Sequence, residues 1–224
     1  MKNKITYIML GVGLLLQVIS FLVTKDAWLS FVSGISGVFA VVYCSERKMS
    51  YYVWSFIQMI TFTIICWQSG LYGKLFENGF NFVTMIIGVY VWLANRDIEN
   101  KVITKSLNTD GIVKCTISGM VGFVLLYLFL TFVGGTLPFL DAATTTLAFI
   151  AQILMVYRYK ESWVLWAIVD IICVIIWSID GNWCIVAQYV FWTINAIYGY
   201  LIWDKSCELN DVYFDGHETN RYND

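Results

Sequence analysis

A chain of 224 residues that is 59% hydrophobic and 13% charged lies far outside the range of soluble domains, in which charged residues make up about a quarter. It reads as an integral membrane protein. Eight spans of roughly 20 residues each would use most of the length, which excludes a separate soluble catalytic domain; the net charge of -2 says little about partners, and no basic, aromatic-interleaved stretch points to nucleic acid.

Lys2 and Lys4 precede an apolar run over 5–23. The run is long for the apolar part of a signal peptide, and no small-x-small cleavage site precedes Lys25, so it is expected to be a retained first span. Seven further runs follow at 28–44, 52–68, 76–94, 116–137, 142–157, 163–179 and 183–203. The longest polar connection is 95–115, and Pro138, the single proline, stands where the fifth span is expected to end. The polar end, 204–224, reads as a solvated, poorly ordered tail. It holds the only histidine, His217, which is expected to be solvated as well.

Orientation follows from the Lys and Arg count on alternate sides of the eight spans. Lys25 and Lys74 fall on one side and the other twelve of the fourteen on the opposite side. Both termini are therefore expected in the cytoplasm. The cysteines Cys44, Cys66, Cys115, Cys173, Cys184 and Cys207 lie mostly inside apolar runs without CxxC spacing, and read as packing residues rather than a disulfide frame or metal site. No HExxH pattern is present.

Sliding the chain on itself gives an echo at an offset of 111 to 112 residues. Trp54 meets Trp166, Gln58 meets Asp170, Gly70 meets Gly181, Gly88 meets Gly199, and Trp92 meets Trp203. Three helices are an odd number, so two copies joined directly would point in opposite directions; one inserted helix makes them parallel. The predicted organisation is an extra span over 1–27, a first triple-helix repeat over 28–94, a loop and linker helix over 95–138, a second repeat over 139–203, and the tail. A midplane site between two such repeats is a usual transporter arrangement.

The stretch 162–203 crosses twice with Asp180, Gly181 and Asn182 as its turn, yet carries Asp170, Gln188 and Asn195 at membrane depth. A carboxylate there costs about 2.5–3.5 kcal/mol on insertion scales and marks a polar cavity. Trp54 and Gln58, like Trp166 and Asp170, are four apart and share a helix face. Two such faces opposed across an axis would form a slot with aromatic walls. Asn78 and Asn81 on the fourth span, Thr144, Thr145, Thr146 and Gln152 on the sixth, and Gln188, Trp192 and Asn195 on the eighth are candidates to line it. A planar cationic ring suits the slot, because Trp faces attract cations by about 0.5–2 kcal/mol and Asp170 balances the charge.

Plainer readings stand beside these. Trp28, Trp163, Trp183 and Trp203 fall at predicted span ends and read as interfacial anchors. Ser33, Gly34, Ser36 and Gly37 read as close helix packing. Thr144, Thr145 and Thr146 can bond their own helix, Asp170 can make a structural hydrogen bond, and Glu77 lies near enough to its span end to reach water. Trp54 and Trp166 lie only about three residues inside their spans. Gly34, Gly37 and Gly199 are hinge candidates by residue type.

The segment DAATTTLAFIAQILMVYRYKESWVLWAIVD and the later WTINAIYGYLIW resemble the PnuC family of bacterial vitamin transporters, and within it the nicotinamide riboside transporters. The resemblance is strongest over 141–203, looser over 28–92, and fits the whole length in span pattern and charge placement. It implies an all-α membrane fold of eight spans, one extra helix plus a SWEET-like three, one and three arrangement. It also implies a homotrimer in the cytoplasmic membrane, and uptake by facilitated diffusion without a cofactor, ion coupling or catalysis, the vitamin being trapped inside by phosphorylation. The family's Trp-x-x-x-Asn pattern falls on Trp166 and position 170, which here is Asp170. Gln152 and Asn195 are similar to polar positions of the family's pocket. Thiamine, also an aromatic cation, is the competing substrate. A membrane-embedded enzyme acting on lipid, and an assembly protein whose polar groups only join helices, are the rivals from other classes.

Overall fold

The computed structural model describes residues 2–24, 28–68, 72–134, 137–180 and 183–221. Lys25, Gly70, Gly181 and Asn182 lie outside the described residues, as do the side chains of Cys66, Lys74, Glu77, Asp180, Trp183, Cys184 and His217. The described residues form eight helices: α1 (Lys2–Thr24), α2 (Trp28–Ser45), α3 (Ser50–Gln68), α4 (Tyr72–Leu93), α5 (Thr109–Phe132), α6 (Pro138–Val156), α7 (Ser162–Asp180) and α8 (Trp183–Arg221). Among them, Lys4–Val23, Trp28–Ser45, Thr109–Phe132 and Pro138–Val156 are long and apolar enough to cross a bilayer, and Ser50–Ile65, Asn78–Leu93 and Ser162–Ile176 are shorter apolar stretches. Helices suit lipid because each satisfies its own backbone groups.

Three boundaries differ from expectation. The fifth helix starts at Thr109, where the Asn108 side chain accepts a bond from the Gly111 amide at 2.9 Å and caps it. Pro138 opens α6 instead of closing the helix before it. A first-turn proline loses no helical bond, since the N–H it lacks would have been unpaired. Helix α8 runs on to Arg221, through the segment expected to be a solvated, poorly ordered tail, and its Ser206 and Cys207 are buried.

The packing pairs α2 with α3, α3 with α4, α6 with α7 and α7 with α8, while α2 crosses α8 and α4 crosses α6. Helix α1 lies on α2 and α8. Among the described residues, helix α5 touches only α6 and has no buried residue.

The α2–α4 and α6–α8 halves meet through contacts that recur at an offset of 111 residues. Trp92 Nε1 donates to the Met155 carbonyl at 3.2 Å, and Trp203 Nε1 donates to the Cys44 carbonyl at 3.3 Å. Cys44 and Met155, themselves 111 apart, touch through their sulfurs at 3.5 Å. The two indoles are fully buried and meet edge to face. Tyr52 lies over Gly88 and Trp163 over Gly199, each so close that a Cβ on the glycine would collide with the ring. Trp163 and Trp203 are therefore core residues, not the interfacial anchors their positions at predicted span ends imply, whereas Trp28 is 68% exposed.

At this end of the bundle the α2–α3 and α6–α7 turns also match. Arg47 and Arg158 both have positive φ, 61° and 69°, which is uncommon outside glycine. Both are anchored by their own side chains: Arg47 Nη1 donates to the Val102 carbonyl and Arg158 Nη1 to the Ile103 carbonyl, each at 2.8 Å. The polar connection over 95–108 is thus a clasp laid across both turns. It is completed by backbone bonds from Val102 N to Arg47 O and from Lys105 N to Arg158 O, and by the Thr104 hydroxyl, which donates to the Trp203 carbonyl at 2.9 Å. Burial lowers the pKa of both arginines from the ordinary value, opposed at Arg47 by Asp97, 3.8 Å away.

Candidate functional site

Asp170 is 5% exposed, on the face of α7 that also bears Trp166 one turn earlier. Trp166 is half-buried against the central aromatic core. The Asp170 carboxylate has no hydrogen-bond partner among the described residues. Among the described residues, the sealed side-chain atoms that lack a partner are Arg47 Nε, Thr146 Oγ1, Arg158 Nε and Trp163 Nε1. The carboxylate oxygens are not among them, so they keep some accessible surface.

Gln152 and Asn195 stand at the two crossings between the halves. Gln152 Nε2 reaches from α6 to the Thr84 hydroxyl of α4 at 3.3 Å. Asn195, fully buried on α8, donates through Nδ2 to the Val41 carbonyl of α2 at 3.2 Å, and its Oδ1 lies 3.4 Å from the Ser45 hydroxyl. Val41 and Gln152 are 111 residues apart, and so are Thr84 and Asn195. The two bonds are thus counterparts, with both amides supplied by the second half.

The other candidates are placed differently. With the offset fixed at 111 by the turns and the axis contacts, Trp166 and Asp170 correspond to Ser55 and Met59, not to Trp54 and Gln58. The one-residue difference rotates a helix by about 100°. Ser55 and Met59 are buried, while Trp54 stacks on Phe39 at 4.4 Å and Gln58 lies over Gly37, both against α2. Trp54 and Gln58 therefore do not oppose Trp166 and Asp170 as their counterparts. Asn78 donates to the Met59 carbonyl at 3.0 Å and to the Thr63 hydroxyl at 2.5 Å, joining α4 to α3. Asn81 accepts from the Thr84 hydroxyl through its backbone carbonyl. Thr144 bonds its own helix at Leu140, Thr145 is half-buried, and Thr146 is buried with its hydroxyl unpaired. Gln188 is half-buried on α8, and Trp192 packs edge to face on Tyr189. Gly34, Gly37 and Gly199 each accept a neighbouring side chain, Gln17, Gln58 and Trp163, so they act as close-approach positions.

Two further groups carry no obvious signal in the sequence. Thr84 looks like any helical threonine, and only its alignment with Asn195 singles it out. Glu46, buried at the end of α2, accepts from Thr6 of α1 at 2.7 Å and from Tyr198 of α8 at 2.5 Å, fastening the extra helix to one crossing. An apolar groove between α7 and α8, lined by Ile171, Val174, Ile175, Val190, Thr193 and Ile194, holds none of the candidate residues.

The arrangement offers an unpaired acid, an adjoining indole and two oriented amides where two triple-helix halves meet, with no group of three or more His, Cys, Asp or Glu among the described residues that could hold a metal. The family model for the nicotinamide mononucleotide transporter matches residues 27–205. The nicotinamide riboside transporter PnuC of Haemophilus influenzae is 32% identical over 200 residues, covering 88% of each chain. That of Neisseria mucosa is 27% identical over 202 residues, covering 85% of this chain and 77% of the relative. The crystal structure of the vitamin B3 transporter PnuC superposes with a TM-score of 0.76 at 26% identity, covering 91% of this chain and 92% of that one. Apolar helices of this number and this match make the chain a multi-pass membrane protein and a transporter rather than an enzyme, and it belongs to the PnuC transporter family.

Proposed function

We propose that the protein takes up nicotinamide riboside across the cytoplasmic membrane by facilitated diffusion, with both termini and the clasp over 95–108 on the cytoplasmic side. The two triple-helix repeats, 28–94 and 139–203, rock about a midplane site in alternating access, and phosphorylation inside traps the vitamin. The observation that carries this reading is the unpartnered Asp170 beside Trp166. A pyridinium ring stacks on an indole face and its charge is matched by the carboxylate, while Gln152 takes up hydroxyl or amide groups and Asn195 holds the opposite crossing closed. The names of the relatives support the substrate. A homotrimer fits the resemblance and the outlying α5, which packs only on α6 and leaves its other faces free of the protomer's own helices.

Calorimetric titration of the purified protein with nicotinamide riboside, thiamine and riboflavin in parallel tests the substrate. Binding of nicotinamide riboside alone is expected. Thiamine binding in its place keeps the fold and moves the substrate, and binding of none of the three overturns the reading.

A further inference from the structure

Thr84 is the hydrogen-bond partner of the Gln152 amide across the α4–α6 crossing. Its hydroxyl lies 3.0 Å from the Phe80 and Asn81 carbonyls of its own helix and donates there. A hydroxyl has one proton, so only lone pairs remain for Gln152. As long as that proton stays on the helix carbonyls, a Gln152 oxygen turned this way would meet a second acceptor. The amide nitrogen faces the hydroxyl instead, at 3.3 Å.

The amide oxygen of Gln152 is consequently turned away from α4. It has no partner among the described residues and is not one of the sealed, unpartnered atoms, so it keeps some accessible surface, as the Asp170 carboxylate does on the adjacent helix. Both groups are acceptors. Acceptors facing one ligand suit a cation with N–H or O–H donors and oppose one that presents a carboxylate, since a site built to receive a donor rejects analogues that lack it.

We propose that Thr84 is a positioning residue that locks Gln152 as an acceptor, and that the site thereby selects a carboxamide-bearing pyridinium nucleoside over its carboxylate counterpart. This rests on the substrate class proposed above. In Thr84→Val the isosteric side chain no longer accepts, the Gln152 amide is free to turn its NH2 group to the ligand, and the discrimination narrows. Thr84→Ser keeps the acceptor.

The test is calorimetric titration of wild type, Thr84→Val and Thr84→Ser with nicotinamide riboside and with nicotinic acid riboside, each protein first shown to be folded by its melting curve. The wild type is expected to favour the carboxamide by at least about tenfold, as one hydrogen-bonding group allows. Thr84→Val is expected to reduce that ratio by about fivefold or more, while Thr84→Ser retains it. A Thr84→Val ratio within about twofold of wild type, with both nucleosides bound, overturns this inference and leaves the transport reading standing. Failure of wild type to bind either nucleoside overturns the transport reading and this inference with it. If Thr84→Val does not fold, Thr84→Ala takes its place, with the same two outcomes.

Discussion

Helices α2–α4 and α6–α8 share a frame and differ in what they present inside it. Arg47 and Arg158 make the same turn, Tyr52 and Trp163 fill the same glycine notch, and Trp92 and Trp203 donate to carbonyls across the axis in mirrored fashion. Between these fixed points, Ser55 stands where the second half has Trp166, Met59 where it has Asp170, Val41 where it has Gln152, and Thr84 where it has Asn195. Contacts at the axis must satisfy both halves at once, which ties their chemistry together. Interior positions facing a small asymmetric ligand would carry no such tie, and in the proposed site the recognition groups stand in the second half.

The axis is where breaking the comparison costs most. Trp92→Ala and Trp203→Ala each remove a fully buried indole and a hydrogen bond to the opposite half, and each is expected to destabilise by about 3–5 kcal/mol. Melting in detergent checks this. The two losses should be alike, and a variant that melts within a few degrees of wild type would show that its indole does not hold the halves together.

Recognition, by contrast, should be one-sided. Trp166→Ala is expected to weaken nicotinamide riboside binding more than about tenfold, a loss of about 1.4 kcal/mol, with expression and assembly intact. Its counterpart Ser55→Ala should leave affinity within about threefold, less than a single good hydrogen bond would give. Equal losses at the two positions would make the site symmetric. A subtler difference is expected at Asp170. Asp170→Asn restores the residue of the family's pattern, so binding should survive while the preference for cationic over neutral aromatic ligands falls. Unchanged preference in parallel titrations would remove charge matching from the mechanism.

Much of this was readable in the residues. Apolar runs, the lopsided Lys and Arg count and the spacing of Gly88, Trp92, Gly199 and Trp203 carry the helix order and the repeated frame, because lipid imposes a strong constraint on composition. Register inside the repeat was less legible: Trp54 and Trp166 match by type at 112, but the turns at Arg47 and Arg158 admit only 111. Residue identity is a poor guide where two copies have diverged in what they face. Trp163 and Trp203 stand at the ends of apolar runs and so resemble anchors, yet the clasp over 95–108 and the start of the 204–224 segment cover that end. A polar connection that bonds to turns on both halves leaves no periodic pattern to read.

The smallest expected effect lies outside the spans, in the pair that joins the second half's turn to the continuation of α8. Lys160 Nζ meets Asp204 at 2.5 Å, with side chains 18% and 32% exposed. That hydrogen bond, the leading cause, raises the lysine above its ordinary pKa. A raised cation stabilises the folded state while pH stays below the unfolded value, and the contribution disappears only as pH climbs through the folded value, which lies higher still. Between pH 6 and pH 9, roughly one unit and more below the ordinary lysine value, the pair should therefore contribute a constant amount. Lys160→Met is expected to cost about 1 kcal/mol or less, as partly exposed pairs do, and the cost should be the same at both ends of that range. Arg47, the counterpart turn's cation, instead donates to the Ser206 hydroxyl at 2.6 Å and to the clasp, so Arg47→Met should cost more, because it strips partners from buried groups. A Lys160→Met penalty that matches or exceeds the Arg47→Met penalty would show that the two turns are held by the same kind of contact after all, and one that grows toward pH 6 would show that the raised lysine is not the source of the contribution.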